Sequence, residues 1–290
     1  MNGIAQIRRF NRTITQQIGA LESNFLGRSR SLGASRVIYE IGDSSIAIRE
    51  LRARLGLDSG YASRLVTGLA AEGLVKITPS QADARVRILK LTRAGKKELS
   101  ILNRSSEERA ASILEPLSQK QRENLVLAME TVQRILLASN VIIGVEESTS
   151  HAAQKCISSY YEELATRFEQ GFDSAKSISA DPEELTPPDG YLLVATLHGR
   201  PVGCGALKVH KKFAEIKRMW VDPDARGLGI GRRILQRLEQ IAEEKDVGLL
   251  RLETNRSLTE ARTLYRSSGY REVAPFNDEP YAHYWFEKRL

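Results

Sequence analysis

The chain has 290 residues, of which 41% are hydrophobic and 27% charged, with a formal net charge of +7. This length favours two domains, and this composition is typical of folded chains. We expect a cytoplasmic protein, because apolar runs such as 138–145 are too short to span a membrane and the segment after Met1 is polar. Cys156 and Cys204 are too few for a disulfide framework or a four-ligand zinc site.

Positive charge is concentrated in the first half of the chain. Residues 1–140 contain 22 Lys and Arg against 13 Asp and Glu, whereas residues 141–290 contain 21 against 23. A basic half joined to a nearly neutral half suggests a polyanion-binding module joined to a second function, although ordinary surface charge would give the same composition.

The first half is predicted to be mainly helical. Apolar residues recur at helical spacing from Ile4 to Glu22, and a Gly/Ser-rich break follows at 27–33. The remaining pattern predicts helices over 35–41, 48–55, 59–72, 92–114 and 116–140, and strands over 74–77 and 86–91.

The segment 48–71 has the pattern of two helices joined by a tight turn. Its second helix is expected to present a polar and basic face near its start, which is what the major groove of DNA admits. The two strands that follow, joined by a polar turn, predict a wing whose Arg85 suits the minor groove. The residues expected to face DNA from the second helix are Ser59, Tyr61, Ser63 and Arg64.

Residues 1–140 resemble the MarR family of transcriptional regulators. The resemblance is carried by Gly73-Leu74-Val75, by Asp83-x-Arg85 and by Leu91-Thr92-x-x-Gly95. It implies a winged helix-turn-helix that binds double-stranded DNA as a homodimer formed by the flanking helices. It also implies that Asp83 orients Arg85 at the wing, where Arg87 is a further expected contact, and that Arg64 contacts a phosphate or base unless it pairs with Glu72.

The second half alternates strands with helices. Short turns between the strands near 190–198, 201–210 and 214–221 predict an antiparallel meander, and the later strand–helix alternation predicts crossover connections. We therefore expect an α/β domain over 141–290 with a mixed, mostly antiparallel central sheet. Further strands are predicted near 141–147, 249–254, 271–276 and 283–289, and helices near 150–168, 229–245 and 258–268.

A glycine-rich segment follows Val221, at the junction of a strand and a helix. Glycines at a helix start let the backbone approach a ligand, and the unpaired N–H groups there bind anions. Arg232 and Arg233 follow Gly231, so the segment is not a phosphate-binding loop. Arg232 and Ile234 stand where a dinucleotide fingerprint requires its last glycine, so that motif is absent as well. The pattern present is Arg226-x-x-Gly229-x-Gly231.

This pattern, together with the segment 249–270, resembles the GNAT acetyltransferase superfamily over residues 141–290. The resemblance implies acetyl-CoA as co-substrate, with its pyrophosphate held by the loop amides. It implies that the exposed backbone of Met219, Trp220 and Val221 pairs with the pantetheine arm, and that Asn255 meets the cofactor from the opposite strand. The residues implied at the pyrophosphate are Arg226, Gly227, Leu228, Gly229, Ile230, Gly231 and Arg232.

Acetyl transfer to an amine requires a proton donor for the leaving sulfur and an acceptor for the ammonium proton. Tyr265 matches the tyrosine acid of the superfamily, although it could be a core tyrosine. Strand alternation predicts that Glu215 lies on the same face as Lys217, Met219 and Val221, beside the thioester. Glu215 is therefore the candidate base and amine-binding residue, unless it forms an ion pair with Lys217 or a water chain serves as base.

The aromatic tail 276–285 is a candidate wall of the acceptor pocket, or only a loop and its closing strand. Asn277, Tyr281 and His283 are its candidate substrate-binding residues. We expect no metal, because the histidines share no ligand spacing. Cys204, between glycines in a strand, is predicted to be a core residue and not a nucleophile.

These patterns predict a bifunctional protein, a transcriptional regulator joined to an N-acetyltransferase that transfers acetyl directly in a ternary complex. The favoured acceptor is a small amino-acid-like amine, because Arg167, Lys217 and Arg218 could hold a carboxylate; a protein lysine is second. The alternative is a regulator whose GNAT domain senses coenzyme A or another ligand with little turnover.

Overall fold

The computed structural model describes residues 2–22, 24–81, 83–178 and 181–290. The chain divides into two compact units, Met1–Met129 and Glu130–Leu290. The boundary between them falls inside one long helix, Gln119–Ser139. Each unit has a hydrophobic core of its own. No helix in the described part of the chain is long and apolar enough to cross a membrane.

The first unit is a helical domain with a small antiparallel sheet. Its core is formed by apolar side chains such as Ile38, Leu51, Leu69 and Leu89, which come from three short helices and the sheet. The elements are α1 (Gly3–Gln17), α2 (Leu32–Ile41), β1 (Ser45–Ala47), α3 (Ile48–Leu55), α4 (Ser59–Ala71), β2 (Val75–Pro79), β3 (Arg87–Leu91), α5 (Arg93–Leu114) and the first half of α6 (Gln119–Ser139), which continues into the second unit.

Local hydrogen bonds fix where the helices of this unit begin. The Asp58 side chain accepts from the backbone N–H of Tyr61 and starts α4, and Thr92 caps α5 in the same way. Strand β1, which the sequence pattern did not predict, is three residues long and pairs with β3. Together with β2, these strands form a sheet in the order β1-β3-β2.

The second unit is a seven-stranded mixed sheet in the order β4-β5-β6-β7-β8-β10-β9. All of its described strand pairs are antiparallel except β7 with β8. The sheet is therefore mixed and mostly antiparallel, as the sequence predicts. Its elements are β4 (Val141–Glu146), α7 (His151–Arg167), β5 (Gly190–Leu197), β6 (Arg200–Val209), β7 (Ala214–Val221), α8 (Ile230–Glu244), β8 (Leu249–Thr254), α9 (Thr259–Ser267), β9 (Arg271–Val273) and β10 (Tyr284–Arg289).

The parallel strands β7 and β8 pair over only two residues. Ala214 lies opposite Leu250 and Glu215 opposite Arg251, and beyond them the two strands diverge. The edge of β7 that faces β8 is therefore unpaired from Ile216 to Val221. This divergence opens the sheet at the carboxyl ends of its parallel strands, which is where α/β folds commonly bind ligands.

A β-bulge interrupts β7. The pairing of β6 with β7 shifts between Cys204 and Ala206, and Arg218 has a left-handed backbone with φ of +54°. Before the bulge, Ile216 packs into the core that contains Ile234 of α8; after it, Met219 packs into the same core. Side-chain direction therefore does not simply alternate along this strand.

The bulge corrects one prediction. Strict alternation placed Glu215 and Lys217 on the same face as Met219 and Val221. The extra residue reverses the faces, so Glu215 shares the face of Trp220, whose side chain packs in the separate core that α7 covers.

Candidate functional site

A cavity of about 530 Å³ lies where β7 and β8 diverge. The glycine loop, defined here as residues 226–232, forms one end of it, and α7 and α9 form its sides. Most of the residues predicted to bind the cofactor line this cavity, namely Met219, Trp220, Val221, Arg226, Gly227, Gly229, Ile230, Gly231 and Arg232.

The glycine loop presents a run of unpaired backbone donors. In the described part of the chain, no protein group accepts a hydrogen bond from the backbone amides of residues 227–232. The first amide of α8 that donates a hydrogen bond is that of Arg233, to Gly229 O. Gly227 and Gly229 have φ of +80° and +73°, which favour glycine. Unpaired amides at the positive end of a helix form an anion-binding site.

Glu163 of α7 holds this loop in place. Its two carboxylate oxygens accept hydrogen bonds from Arg226 Nη2 at 2.7 and 2.6 Å, and one of them also accepts from Trp220 Nε1 at 2.9 Å. Arg167 donates to the other oxygen at 2.9 Å. Burial opposes ionisation of this carboxyl, but the three donors together hold the pKa of Glu163 below its usual range. No sequence motif singles out this residue, because its partners lie far away in the chain.

A smaller cavity of about 100 Å³ adjoins the first. Tyr160, Met219 and Tyr265 line both cavities, so the two meet at these side chains. A ligand that extends along the larger cavity would reach the smaller one at this junction. The arrangement suits a donor in one compartment and an acceptor in the other.

Tyr265 lies at that junction, where the sequence places the candidate acid. The residue is 5% exposed and packs against Tyr270 and Phe286 in the core. Burial and the nearby Glu253 carboxylate raise its pKa, so the hydroxyl is protonated at neutral pH. The position is therefore compatible with both predicted roles, proton donor and core residue.

The smaller cavity also contains two carboxylates that are not among the predicted site residues, Glu253 and Glu279. Glu253 Oε1 accepts a hydrogen bond from Lys217 Nζ, and burial raises the pKa of Glu253 despite that lysine. Glu279 is 7% exposed. In the strand Leu249–Thr254, Glu253 alternates with the buried Leu250 and Leu252, which is also the pattern of a surface side chain, so no sequence signal singles it out.

Of the four predicted substrate-binding residues, the structure brings Tyr281 to the smaller cavity. Glu215 lies outside both cavities, with its carboxylate 3.4 Å from His210 and 3.9 Å from Lys217. Asn277 accepts a hydrogen bond from Trp285, and His283 lines a different surface depression.

Two predicted cofactor contacts also lie away from the larger cavity. The Leu228 side chain packs against the core, so its amide is the group it offers to a ligand. Asn255 lines the smaller cavity, where its side chain donates to Tyr281 O and accepts from Ser257 N. Its side-chain amide therefore holds the loop that carries Tyr281.

The cations expected to bind an acceptor carboxylate are engaged elsewhere. Arg167 pairs with Glu260 at 2.8 Å as well as with Glu163. Lys217 pairs with Glu253. Arg218 lies over the ring of Tyr161 at 5.7 Å from its centroid.

In the first unit, α4 presents the predicted DNA-facing side. Ser59, Tyr61, Ser63 and Arg64 are exposed, whereas Ala62, Val66 and Leu69 are buried. Arg64 lies over the Tyr61 ring at 5.8 Å. Glu72, considered as a partner for Arg64, instead pairs with Arg30 at 2.6 Å.

The wing connects β2 and β3, and its Ala82 lies outside the described residues. The Arg85 side chain is 92% exposed, and its Nε lies 3.1 Å from an Asp83 carboxylate oxygen. That oxygen also accepts from the backbone N–H of Arg85 at 2.9 Å. The arginine hydrogen bonds lower the pKa of Asp83. The neighbouring Arg87 is exposed at the start of β3.

Helix α1 carries an exposed apolar face. Ile4, Ile7 and Phe10 are 72%, 62% and 41% exposed, respectively. Helix α6 likewise exposes Leu127 and Ile135. Exposed apolar stripes of this kind mark interaction surfaces.

The described residues contain no group of three His, Cys, Asp or Glu that could hold a metal ion.

Comparisons with known proteins match the two units to two families. The model of the acetyltransferase (GNAT) family matches residues 157–270, and that of the MarR family matches residues 26–86. IAA acetyltransferase of Azospirillum brasilense is 35% identical over 139 residues, 47% of this chain and 88% of that protein. An uncharacterized N-acetyltransferase of Schizosaccharomyces pombe is 34% identical over 99 residues, 32% of this chain and 60% of that protein.

Among solved structures, a GNAT-family acetyltransferase of Staphylococcus aureus Mu50 is 20% identical, with a TM-score of 0.44 over 51% of this chain and 99% of that one. The family matches confirm both predicted resemblances and the predicted fold class. The chain is an acetyltransferase of the GNAT family that carries a MarR-family region in its N-terminal half.

Proposed function

We propose that the second unit transfers an acetyl group from acetyl-CoA to a primary amine, directly and within a ternary complex. The observation that carries this proposal is the run of unpaired amides at residues 227–232, at one end of a cavity that leads to Tyr265. The pyrophosphate of acetyl-CoA would accept hydrogen bonds from these amides, and its extended pantetheine arm would fit between the diverging strands β7 and β8.

The residues present fit this substrate. The amides of the glycine loop would bind the pyrophosphate, and Arg232, whose guanidinium donates to Ser267 at 2.8 Å, lines the same cavity. The unpaired edge of β7 from Met219 to Val221 would hydrogen-bond the pantetheine amides in the manner of an added strand. Bound in this way, the thioester is directed toward the junction of the two cavities.

Tyr265 would protonate the departing sulfur. Its raised pKa keeps the hydroxyl protonated at neutral pH, as a general acid requires. The hydroxyl can then donate its proton to a thiolate that forms beside it. Cys204 is fully buried, and its Sγ donates to Arg218 O at 3.3 Å. It is therefore shielded from a thioester in the cavity, which favours direct transfer over an acetyl-enzyme.

The test is thiol release from acetyl-CoA across a panel of primary amines, with initial rates measured while both substrates are varied. Intersecting double-reciprocal lines are expected for a ternary complex, and parallel lines would indicate an acetyl-enzyme instead. Acetyl-CoA binding without thiol release for any amine would favour the alternative of a coenzyme A sensor.

We further propose that the first unit binds double-stranded DNA as a homodimer and regulates transcription. The exposed α4 face supports contact with the major groove, and the exposed Arg85, braced by Asp83, supports contact with the minor groove. The apolar faces of α1 and α6 support self-association. Selection of binding sites from random duplexes, followed by footprinting, tests this proposal.

A further inference from the structure

One oxygen of the Glu253 carboxylate has no hydrogen-bond partner among the described residues. Oε1 accepts from Lys217, whereas Oε2 is buried and unmatched. The Glu253 side chain is 9% exposed and borders the smaller cavity. A buried carboxylate oxygen without a donor is costly. This atom therefore indicates a ligand that brings an N–H or O–H donor into the cavity.

The other charged groups of this cavity already have partners. The Glu279 carboxylate accepts hydrogen bonds from Ser177 Oγ at 3.0 Å and from the backbone N–H of Ile178 at 2.6 Å. Lys217 pairs with Glu253, and Arg218 lies over Tyr161 and has a further interaction. The cavity thus offers an acceptor oxygen to an incoming cation, but the described residues offer no unpaired cation to an incoming carboxylate.

The remaining wall is largely apolar and aromatic. The rings of Phe172 and Tyr281 lie 4.9 Å apart, and Tyr161 stacks on Phe172 at 5.5 Å. With about 100 Å³, the cavity is smaller than the roughly 150 Å³ apolar cavity that accommodates benzene. It therefore admits the amino end of a molecule and the first carbons attached to it.

We propose that the acceptor is a primary amine on an unbranched alkyl or arylalkyl group, without a carboxylate on the carbon that bears the nitrogen, and that Glu253 Oε2 receives its ammonium group and then its proton. This inference rests on the proposed acetyl transfer. It replaces both the predicted amino-acid-like acceptor and Glu215 as the base.

In the proposed acetyl transfer, every proton and every electron pair has a donor and an acceptor. The ammonium gives one proton to Glu253, and the nitrogen lone pair forms a bond to the acetyl carbonyl carbon. The carbon–sulfur bond breaks with its electron pair on sulfur, which takes the Tyr265 proton. The nitrogen then gives its second proton to the Tyr265 phenolate, which restores the phenol. Glu253 releases its proton to solvent. The products are the N-acetylamine, the free thiol and one proton.

Several titratable groups face Glu253 from the elements around it. They are Lys217 and Glu215 of β7, Glu279 of the loop before β10, Tyr160 of α7 and Tyr265 of α9. Burial and the two neighbouring carboxylates favour the protonated form of Glu253, and Lys217 opposes them. The carboxylate must be ionised to accept a proton, so kcat/KM is expected to rise with pH as Glu253 titrates.

The first arm of the test compares matched acceptors with the wild-type full-length protein. Phenethylamine is paired with phenylalanine, and pentylamine with norleucine. We expect each amine to have a kcat/KM at least tenfold above that of its amino acid. Equal or faster acetylation of the amino acids overturns the inference but leaves acetyl transfer intact. No thiol release with any acceptor overturns the proposed function itself, and this inference with it.

The second arm substitutes the carboxylate. Glu253→Gln is expected to lower kcat/KM at least hundredfold and to remove the rise with pH, while acetyl-CoA binding by calorimetry is unchanged. Glu287→Gln is the control, because Glu287 lies in the same sheet, paired with Arg251, outside both cavities. A Glu253→Gln protein that retains the wild-type pH profile, or a larger loss in Glu215→Gln, overturns the assignment of Glu253.

Discussion

The Arg226 guanidinium and the Glu163 carboxylate form an ion pair that joins the glycine loop to α7. Arg226 Nη2 lies 2.6 and 2.7 Å from the two oxygens of Glu163, and Arg226 Nε donates to Val221 O at 3.1 Å. The arginine that opens the glycine pattern is thus a tether between a helix, a strand end and a loop. Because Glu163 accepts both of these hydrogen bonds, we expect the amides that follow Arg226, and not its guanidinium, to provide the proposed anion site.

Loss of this tether should weaken acetyl-CoA binding. Glu163→Gln removes the charge that holds Arg226, and we expect the Kd for acetyl-CoA to rise about tenfold, because charge-assisted hydrogen bonds order the loop before binding. Isothermal calorimetry measures the change. Glu162→Gln is the matched control, since the exposed Glu162 bonds only the nearby Ser158 among the described residues. Equal affinities in the two variants would remove Glu163 from the binding site.

Removal of the Tyr265 hydroxyl should slow the chemical step. Tyr265→Phe keeps the ring packed in the core, so we expect kcat to fall about 10²-fold with little change in acetyl-CoA affinity. Steady-state thiol release measures kcat. Tyr270→Phe is the control, because that ring lies 6.0 Å from Tyr265 but lines neither cavity. A normal kcat in Tyr265→Phe would leave Tyr265 with a packing role.

The glycine loop and the bulge of β7 differ in how well the sequence predicts them. The glycine loop is predictable because its spacing is local and its chemistry is that of the backbone. The bulge at Arg218 is not, since an arginine with positive φ breaks the rule that side chains alternate along a strand. The error in placing Glu215 follows directly from that bulge.

Long-range partners explain the other residues that the sequence did not reveal. Glu163 is 63 positions from Arg226, and Lys217 is 36 positions from Glu253. Neither separation has a periodic signal. The strand β1 was missed for a related reason, because its three residues are ordered by pairing with β3. Local pattern thus predicts the elements and the loop, whereas tertiary contacts decide which carboxylates reach the cavity.

The wing arginine should contribute to DNA affinity through electrostatics. Arg85→Ala is expected to weaken duplex binding about tenfold and to make it less sensitive to salt, because one fewer cation displaces counterions. Fluorescence anisotropy over a salt series gives both quantities. Arg104→Ala removes an exposed arginine from α5 and should leave affinity within about twofold. Identical salt slopes for wild type and Arg85→Ala would exclude a contact with DNA.

The apolar face of α1 should support self-association. Ile7→Lys places a charge on a face that a homodimer would bury, so we expect sedimentation velocity to show a shift from dimer to monomer. Gln6→Lys adds the same charge at the adjacent exposed position and is the control. A wild-type protein that sediments as a monomer at micromolar concentration would contradict the proposed homodimer.

A buried ion cluster should control the acid stability of the first unit. The Glu98 side chain is 7% exposed, and it accepts hydrogen bonds from Arg28 at 2.8 Å and from Arg30 at 2.7 Å. The hydrogen bond from Arg28 and the charges of both arginines lower the pKa of Glu98 from its ordinary value of 4.5, although burial opposes them. A lowered pKa means that the stabilisation is present above pH 4.5 and is lost as the pH falls below it.

Glu98→Gln should therefore lower the free energy of unfolding of the first unit by about 2–3 kcal/mol at pH 7, because it removes charged hydrogen bonds to two partly exposed arginines. The difference from wild type should shrink toward pH 3. Both tryptophans, Trp220 and Trp285, lie in the second unit, so the helical transition of the first unit is followed by calorimetry and circular dichroism. Glu108→Gln, at an exposed position of α5, should change nothing. A difference that stays constant from pH 7 to pH 3 would show that Glu98 stabilises the unit by packing and not by charge.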